Sequence, residues 1–228
     1  MSDSKRTGRV VGTLLLLQFV ALMVGFILIT DPLRSPEYLA TAAANAARIK
    51  IGVVVLLTNC ALAIATSVTA WRVFREYSSQ MGIWLIALSL LMFVMQAVDT
   101  VHIMSMLSLS ERFVESGGAQ PDIYNTLAAS VRSTRRFAHY LELLAIDFWF
   151  GMFYAIVLRF KLVSRLVAGF SLLTLVLHFV AVPAPGFLGF GINTILGVPL
   201  AFGIVAMSVW LIWKGFSDNS HAAIAEPQ

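Results

Sequence analysis

Two pairs of titratable side chains interrupt a chain that is otherwise strongly apolar. Asp99 precedes His102 by three residues, and His139 precedes Glu142 by the same spacing. Because residues three apart are neighbours on a helix surface, each pair can face the same adjacent helix. His178 adds a further imidazole later in the chain. The sequence therefore offers two imidazole–carboxylate pairs and one extra histidine.

This set of side chains suits a transition-metal ion, because imidazole nitrogen and carboxylate oxygen are ligands of Zn, Fe, Mn and Cu. The expected metal ligands are Asp99, His102, His139, Glu142 and His178. A second carboxylate would act as general base toward a metal-bound water or would orient a ligand, and Glu142 and Asp147 are the candidates for catalysis. Di-iron bundles use paired Glu-x-x-His motifs, but here the pairs are reversed or carry Asp, and carboxylates are too few for that full pattern.

Two other interpretations of these residues stay open. Polar side chains near the end of a membrane span often only reach the headgroup region, and a helix starting at Met81 carries His102 about 31 Å, to the far boundary of a bilayer. Alternatively, the residues form a hydrogen-bonded cluster that serves only to stabilise the bundle. Glu142 and His178 fit the interfacial interpretation least well.

Asp147 poses a separate question, because an isolated carboxylate near the middle of a bilayer is costly. Either burial keeps it protonated, or it pairs with a histidine or with an amide such as Gln18 or Asn59. A neutral acid bonded to an adjacent helix and a proton or ion relay are both compatible with its position.

Arginines cluster just before the fourth apolar run. Arg132, Arg135 and Arg136 lie within five positions. Such a cluster can hold an anionic lipid headgroup or a substrate phosphate, although it can equally be a solvated helix end.

The elements that must position these residues are membrane-spanning helices. The 228 residues are 59% hydrophobic and 12% charged, against roughly 25% charged in an ordinary soluble domain. A span needs about 20 apolar residues. The candidate runs are approximately 10–29, 51–71, 81–104, 137–158, 162–182 and 187–213. We therefore expect one all-α bundle of six transmembrane helices, a single domain covering 1–228.

Several helices should extend beyond the bilayer on one side. Ser35 and Pro36 are typical of a helix start, which predicts a continuous second helix leading into its span. The third helix should continue to Ser116 and the glycines after it, and Pro121 should begin the fourth helix. We predict that helices 2, 3 and 4 are extended on the outer side.

The basic residues indicate which side is which. Nine lie on the side of the amino terminus and seven on the opposite side, and the nine concentrate in short tails and loops. The positive-inside rule then places both termini in the cytoplasm. The net charge of +4 needs no nucleic-acid partner, because basic flanks are what membrane topology requires.

Four segments carry a resemblance to a known family: "RTGRVVGTLLLL", "SPEYLATAAANAARIKIGVVV", "ERFVESGGAQPDIYNTL" and "VWLIWKGF". They resemble a family of bacterial polytopic membrane proteins catalogued only as a domain of unknown function. The likeness runs roughly from Arg6 to Phe216 and implies topology rather than chemistry. With it we expect a multi-pass protein of the bacterial inner (plasma) membrane.

Three functions are compatible with these features. The first is a metal-binding site that can also be catalytic, open to lipid-soluble or small substrates. The second is a proton-coupled small-solute carrier using Asp147, against which stands the absence of an inverted repeat. The third is a non-catalytic accessory subunit that packs against other membrane proteins or forms an oligomer. The lipid bilayer is a partner in all three.

Overall fold

The computed structural model of the protein describes residues 2–189 and 194–217. Every regular element within those two ranges is helical. A single 3₁₀ turn, Thr194–Gly197, precedes the last helix. The helices are α1 (Asp3–Arg34), α2 (Tyr38–Ala44), α3 (Ala46–Phe74), α4 (Ser79–Glu115), α5 (Pro121–Arg159), α6 (Arg165–Ala181), α7 (Pro183–Leu188) and α8 (Pro199–Lys214).

Six helical segments in the described part of the chain are long and apolar enough to cross a bilayer. They are Asp3–Arg34, Ala46–Phe74, Ser79–Glu115, Pro121–Arg159, Arg165–Leu188 and Ile195–Lys214. The predicted all-α bundle of six transmembrane helices is confirmed, and the protein is a multi-pass membrane protein. We call the side on which α1 begins the proximal side and the side on which α1 ends the distal side.

The six spans are arranged in a ring, in which each span contacts the next and the last contacts the first. Each of α1, α3, α4, α5 and α6 packs against the following span, and α8 packs against both α6 and α1. The α5 helix is the most deeply enclosed of these spans, because more than half of its apolar section is buried. Trp149 shows why: it is fully buried, and its indole nitrogen donates to Ser67 Oγ of α3 at 2.8 Å.

The predicted turn after the third span is confirmed. The α4 helix ends at Glu115, and Gly117 and Gly118 follow with φ of 65° and 75°, a conformation that glycine adopts without a Cβ clash. Pro121 then occupies the start of α5, where its missing N–H costs no helical hydrogen bond. The α4 and α5 helices, of 37 and 39 residues, carry the expected extensions.

The segment before the second span differs from the expected continuous helix. Ser35 ends α1, which continues through Pro32, and a separate short helix α2 follows. At Asn45 the helix is interrupted between α2 and α3, and the side-chain amide of Asn45 donates to Thr41 O at 2.9 Å. An asparagine side chain that bonds the preceding turn offers the backbone an alternative to a continuous helix.

The α2 helix is held across the distal end of the bundle by polar contacts. Ser110 Oγ of α4 donates to Leu39 O at 2.8 Å and accepts from Ala43 N at 2.9 Å. Arg132 of α5 donates to Ser35 O at 2.8 Å and lies over the ring of Tyr38. Burial raises the pKa of the Tyr38 hydroxyl, and the nearby Arg132 guanidinium opposes this with a smaller effect.

Two glycines allow α1 to pack closely against its neighbouring helices. At the proximal side, a Cβ on Gly12 would lie 2.7 Å from Leu211 Cβ and 2.8 Å from Ile212 N of α8. Nearer the distal side, a Cβ on Gly25 would lie 2.7 Å from Leu56 of α3. The α1 helix is therefore in close contact with α8 at one end and with α3 at the other.

Candidate functional site

Three side chains of the types that bind metals, two buried carboxylates and one half-buried imidazole, lie between α4 and α5 toward the distal side. Asp99 comes from α4, and His139 and Glu142 come from α5. One potential ligand atom of each lies within 4.8 Å of the others. His139 Nδ1 and Glu142 Oε2 are 3.0 Å apart. The two helices thus bring together one imidazole and two carboxylates.

The local sequence explains why these side chains face inward. The buried positions of α4 include Gln96, Asp99 and Ile103, at spacings of three and four residues, so Asp99 belongs to the packed face. Asp99 and Glu142 are 1% and 3% exposed. Two almost fully buried carboxylates are costly unless they are paired, protonated or bound to a cation.

Arg135 is the charged neighbour of Asp99. Its Nε lies 3.4 Å from Asp99 Oδ1. Neither atom has a hydrogen-bond partner among the described residues, although the distance is that of an ion pair. The attraction is therefore electrostatic and lacks hydrogen-bond geometry, and it leaves an acceptor on Asp99 and a donor on Arg135 available.

A second carboxylate–imidazole pair joins α5 to α6. Asp147 Oδ1 lies 2.8 Å from His178 Nδ1. The sequence left open whether Asp147 pairs with a histidine or with an amide, and the structure gives His178 as its partner. Because Asp147 engages Nδ1, the other ring nitrogen, Nε2, is left for a different contact.

One cavity connects both groups. Its volume is about 380 Å³, and its walls include Asp99, Arg135, His139, Glu142 and His178. Most of the remaining wall is apolar and comes from α1 and α8, for example Phe19, Leu22 and Ile204. Small-molecule sites commonly have this form, about 300–1,000 Å³ of apolar wall with a few convergent polar groups. The arrangement can accommodate a small or slender ligand beside the ionisable groups.

Other polar residues lie elsewhere. His102 is not brought into the group of three, because its Nδ1 lies 2.9 Å from Val98 O, one turn back on its own helix. Gln18 and Asn59 line a separate cavity of about 10 Å³, deeper in the bundle, roughly the size that holds one water molecule. Asn193, a polar residue of the sixth apolar run, lies outside the described residues.

The three arginines do not act as one cluster. Arg132 contacts the backbone and ring of the α2 region, Arg135 turns inward to Asp99, and Arg136 is exposed. Sequence reasoning missed the inward position of Arg135. The sequence spacing could have indicated it, because Arg135, His139 and Glu142 are at positions i, i+4 and i+7, which lie on one face of a helix.

Comparison with known proteins identifies a family for this chain but gives no activity for it. A family model described as "Domain of unknown function (DUF4386)" matches residues 10–215. Neither a curated protein nor a solved structure matches the chain significantly.

Proposed function

The chain belongs to the DUF4386 family, as its resemblance to a domain of unknown function implied, and from the geometry of the site we propose that it binds a divalent transition-metal ion. Asp99, His139 and Glu142 would be the ligands. The observation that carries the proposal is the convergence of their ligand atoms within 4.8 Å, in a buried position on the wall of a cavity.

The donor set suits Zn, Fe, Mn or Cu. Three protein ligands with the remaining position open to a cavity is the arrangement typical of catalytic zinc, in contrast to closed structural sites with four protein ligands. A tetrahedral ion with bonds of about 2.1 Å holds its ligand atoms about 3.4 Å apart. His139 and Glu142 are already within that distance, at 3.0 Å. Asp99 would have to move toward them.

The environment supports a cation energetically. Asp99 and Glu142 place two carboxylates in a buried site, and Arg135 supplies one compensating positive charge. A divalent ion would neutralise both carboxylates without requiring either to be protonated. Arg135 opposes that ion, so the occupancy depends on the balance between the ligands and this guanidinium.

The second carboxylate–imidazole pair suits proton transfer beside the metal. His178 lines the cavity, and Asp147 holds its Nδ1 at 2.8 Å. Carboxylates that bond one ring nitrogen fix the tautomer and orientation of the imidazole. His178 would exchange protons with a substrate, and Asp147 would be a positioning residue that acts through His178. Glu142 is the candidate general base if only His139 and Asp99 bind the metal.

The proposed setting is the bacterial inner membrane with both termini in the cytoplasm. The basic residues of the short proximal connections support this orientation through the positive-inside rule, among them Arg72, Arg75, Arg159 and Lys161. The site would then lie toward the external side. Substrates would reach it from the lipid or from the external aqueous phase.

A proton-coupled small-solute carrier is the second candidate, and one observation favours it. Asp147 is 4% exposed, and its Oδ2 has no hydrogen-bond partner among the described residues. A buried carboxyl group beside an imidazole can take up and release a proton as the cavity changes access. In this case Asp147→Asn would abolish solute flux and leave any bound metal in place.

Elemental mass spectrometry on protein purified in mild detergent, without a histidine tag or chelator, tests the metal proposal. We expect near-stoichiometric metal in the wild type and in His102→Ala, and its loss in His139→Ala. His102→Ala is the matched control, because that imidazole lies in the same membrane region but outside the group of three. Equal background metal in all three proteins contradicts the proposal. A stably co-purifying membrane partner would then favour the accessory-subunit function.

A further inference from the structure

The α1 and α8 helices separate toward the distal side. They are closest near Gly12, where a Cβ would lie 2.8 Å from Ser208 O and from Ile212 N. About 20 Å further along α1, Met23 and Phe26 line the cavity, and Val198 and Leu200 at the start of the last span line it as well, so open space lies between the two elements at this level. The cavity lies in the resulting gap, with walls from both helices.

The gap faces the membrane. Three of the apolar residues that line the cavity are more than one third exposed: Met23 (37%), Phe26 (48%) and Val198 (56%). They come from α1 and from the start of the last span. In a multi-pass membrane protein, an exposed apolar surface at this level contacts lipid. The cavity therefore has a lateral mouth between α1 and α8.

Polarity changes along the cavity in the same direction as in a lipid monolayer. Toward the distal end its wall includes Thr30, Arg135 and His139. Toward the middle of the bundle most of its wall is apolar, with Phe19, Ile146 and Ile204, and His178, which bonds Asp147 next to Ile146, is the polar exception. Arg135 and Ile146 are eleven residues apart on α5, about 16 Å. A molecule with a polar head and an apolar chain fits this gradient in the orientation it already has in the distal leaflet.

We propose that the cavity takes a single-chain carboxylic acid from the distal leaflet through the gap between α1 and α8. The choice of head group rests on the proposed function. With a divalent ion present, the charges of Asp99, Glu142 and Arg135 leave one net positive charge. The His178–Asp147 pair adds no net charge when one proton is bound to either the imidazole nitrogen or the carboxylate. A carboxylate head balances that charge and supplies an acceptor to the Arg135 Nε, which has no hydrogen-bond partner in the described part of the chain.

Photolabelling of the full chain in phospholipid vesicles tests this inference. The probe is a palmitic acid analogue with a diazirine near the end of its chain, and its methyl ester is the comparison. We expect cross-links on cavity-wall residues such as Phe19, Leu22 and Ile204, with competition by palmitate. The ester should label these residues about tenfold less, because it cannot make the charge-assisted hydrogen bond and ion pair that a carboxylate would make.

Blocking variants locate the route of entry. Met23→Trp combined with Val198→Trp places bulky rings at the mouth and should abolish labelling of the cavity wall at short exposure. Val54→Trp combined with Val101→Trp is the matched control, because both residues are apolar and 63% exposed but do not line the cavity. Equal labelling in the two double variants would overturn the entry route, and equal labelling by acid and ester would overturn the head group.

Metal content measured on the same vesicles separates this inference from the function on which it rests. Bound metal with no labelling of the cavity wall would leave the metal site intact and overturn the acid ligand. Acid-selective labelling in protein that binds no metal would overturn the metal site. It would also overturn the charge balance argued for the acid head, because Asp99, Glu142 and Arg135 alone leave one net negative charge.

Discussion

Arg135 Nε and Asp99 Oδ1 lie 3.4 Å apart, yet neither atom makes a hydrogen bond within the described residues. Asp99 is 1% exposed, whereas the Arg135 side chain is 25% exposed, so the pair joins a buried carboxylate to a half-buried guanidinium. Removing the guanidinium would leave the charge of Asp99 uncompensated in the interior, which is unfavourable. Arg135 therefore compensates part of the buried negative charge to which a cation would otherwise be attracted.

Arg135→Gln should raise the affinity for a divalent metal ion by at least about tenfold. At about 5 Å and an effective dielectric constant of about 20, each pair of unit charges contributes roughly 3 kcal/mol, which the guanidinium exerts against a bound cation. Competition with a chelator of known affinity measures the change. Arg136→Gln is the control, because Arg136 is the exposed neighbour on the same helix. Weaker binding in Arg135→Gln would show that Asp99 needs the guanidinium to be in place.

His178→Ala should destabilise the protein by about 3–5 kcal/mol, because it leaves Asp147 buried without its partner. Asp147→Asn should cost less, since an amide still bonds the imidazole. The double variant should cost less than the sum of the two single changes, which identifies a direct coupling. Thermal unfolding in one mild detergent, followed by far-ultraviolet circular dichroism, gives all four values. Strict additivity would mean that the contact contributes nothing.

Gly12→Ala should lower stability by about 1–3 kcal/mol, the usual cost of forcing extra atoms into close packing. Two backbone atoms of α8 lie within 2.8 Å of the added Cβ position, so the helices must move apart. Gly169→Ala is the matched control, because no atom lies within 4 Å of its Cβ position. It should gain up to about 1 kcal/mol from helix propensity. Equal thermal stability of the two variants would argue against the close α1–α8 contact.

Tyr38→Phe should make the stability of the protein less sensitive to alkaline pH. Burial raises the pKa of the Tyr38 hydroxyl, so the folded state retains this proton at a pH where the unfolded chain releases it. Its contribution to stability is complete below the unfolded value of about 10 and decreases as the pH rises above it. Unfolding temperatures at a series of pH values from about 8 to 11 measure the difference. Parallel curves for the two proteins would contradict the expectation.

The sequence was sufficient to predict the six spans and the turn at Gly117 and Gly118, because length and apolarity are imposed by the bilayer. The inward face of each span was harder to predict. Lipid-facing and core-facing side chains are both apolar, as exposed Leu17 and buried Leu15 on α1 illustrate. The polar residues were the better guide: three of the five expected ligands, Asp99, His139 and Glu142, lie together in the structure, and their binding of a metal stays a prediction.

The parts of the site that were not predicted depend on one-residue differences in helical phase. His102 precedes the buried Ile103 by one position, about 100° around α4, and so lies beside the face that holds Asp99. Spacing of i, i+3 permits a shared face without requiring it.

Outside the site, the interruption of the helix at Asn45 was also not predicted. It depends on competition between a side chain and the backbone, which the hydrophobic pattern does not reveal.

The contact between α1 and α8 has a consequence for biogenesis. These are the first and the last of the six spans, so a ribosome delivers five spans to the membrane before the wall formed by α8 exists. Until then the groove lined by α1 and α5, with its carboxylates and imidazoles, is open to lipid or to an insertion factor. The assembly of this region therefore follows the insertion of the other five spans, and truncation within α8 would leave an ionisable surface exposed in the bilayer for quality-control proteases to recognise.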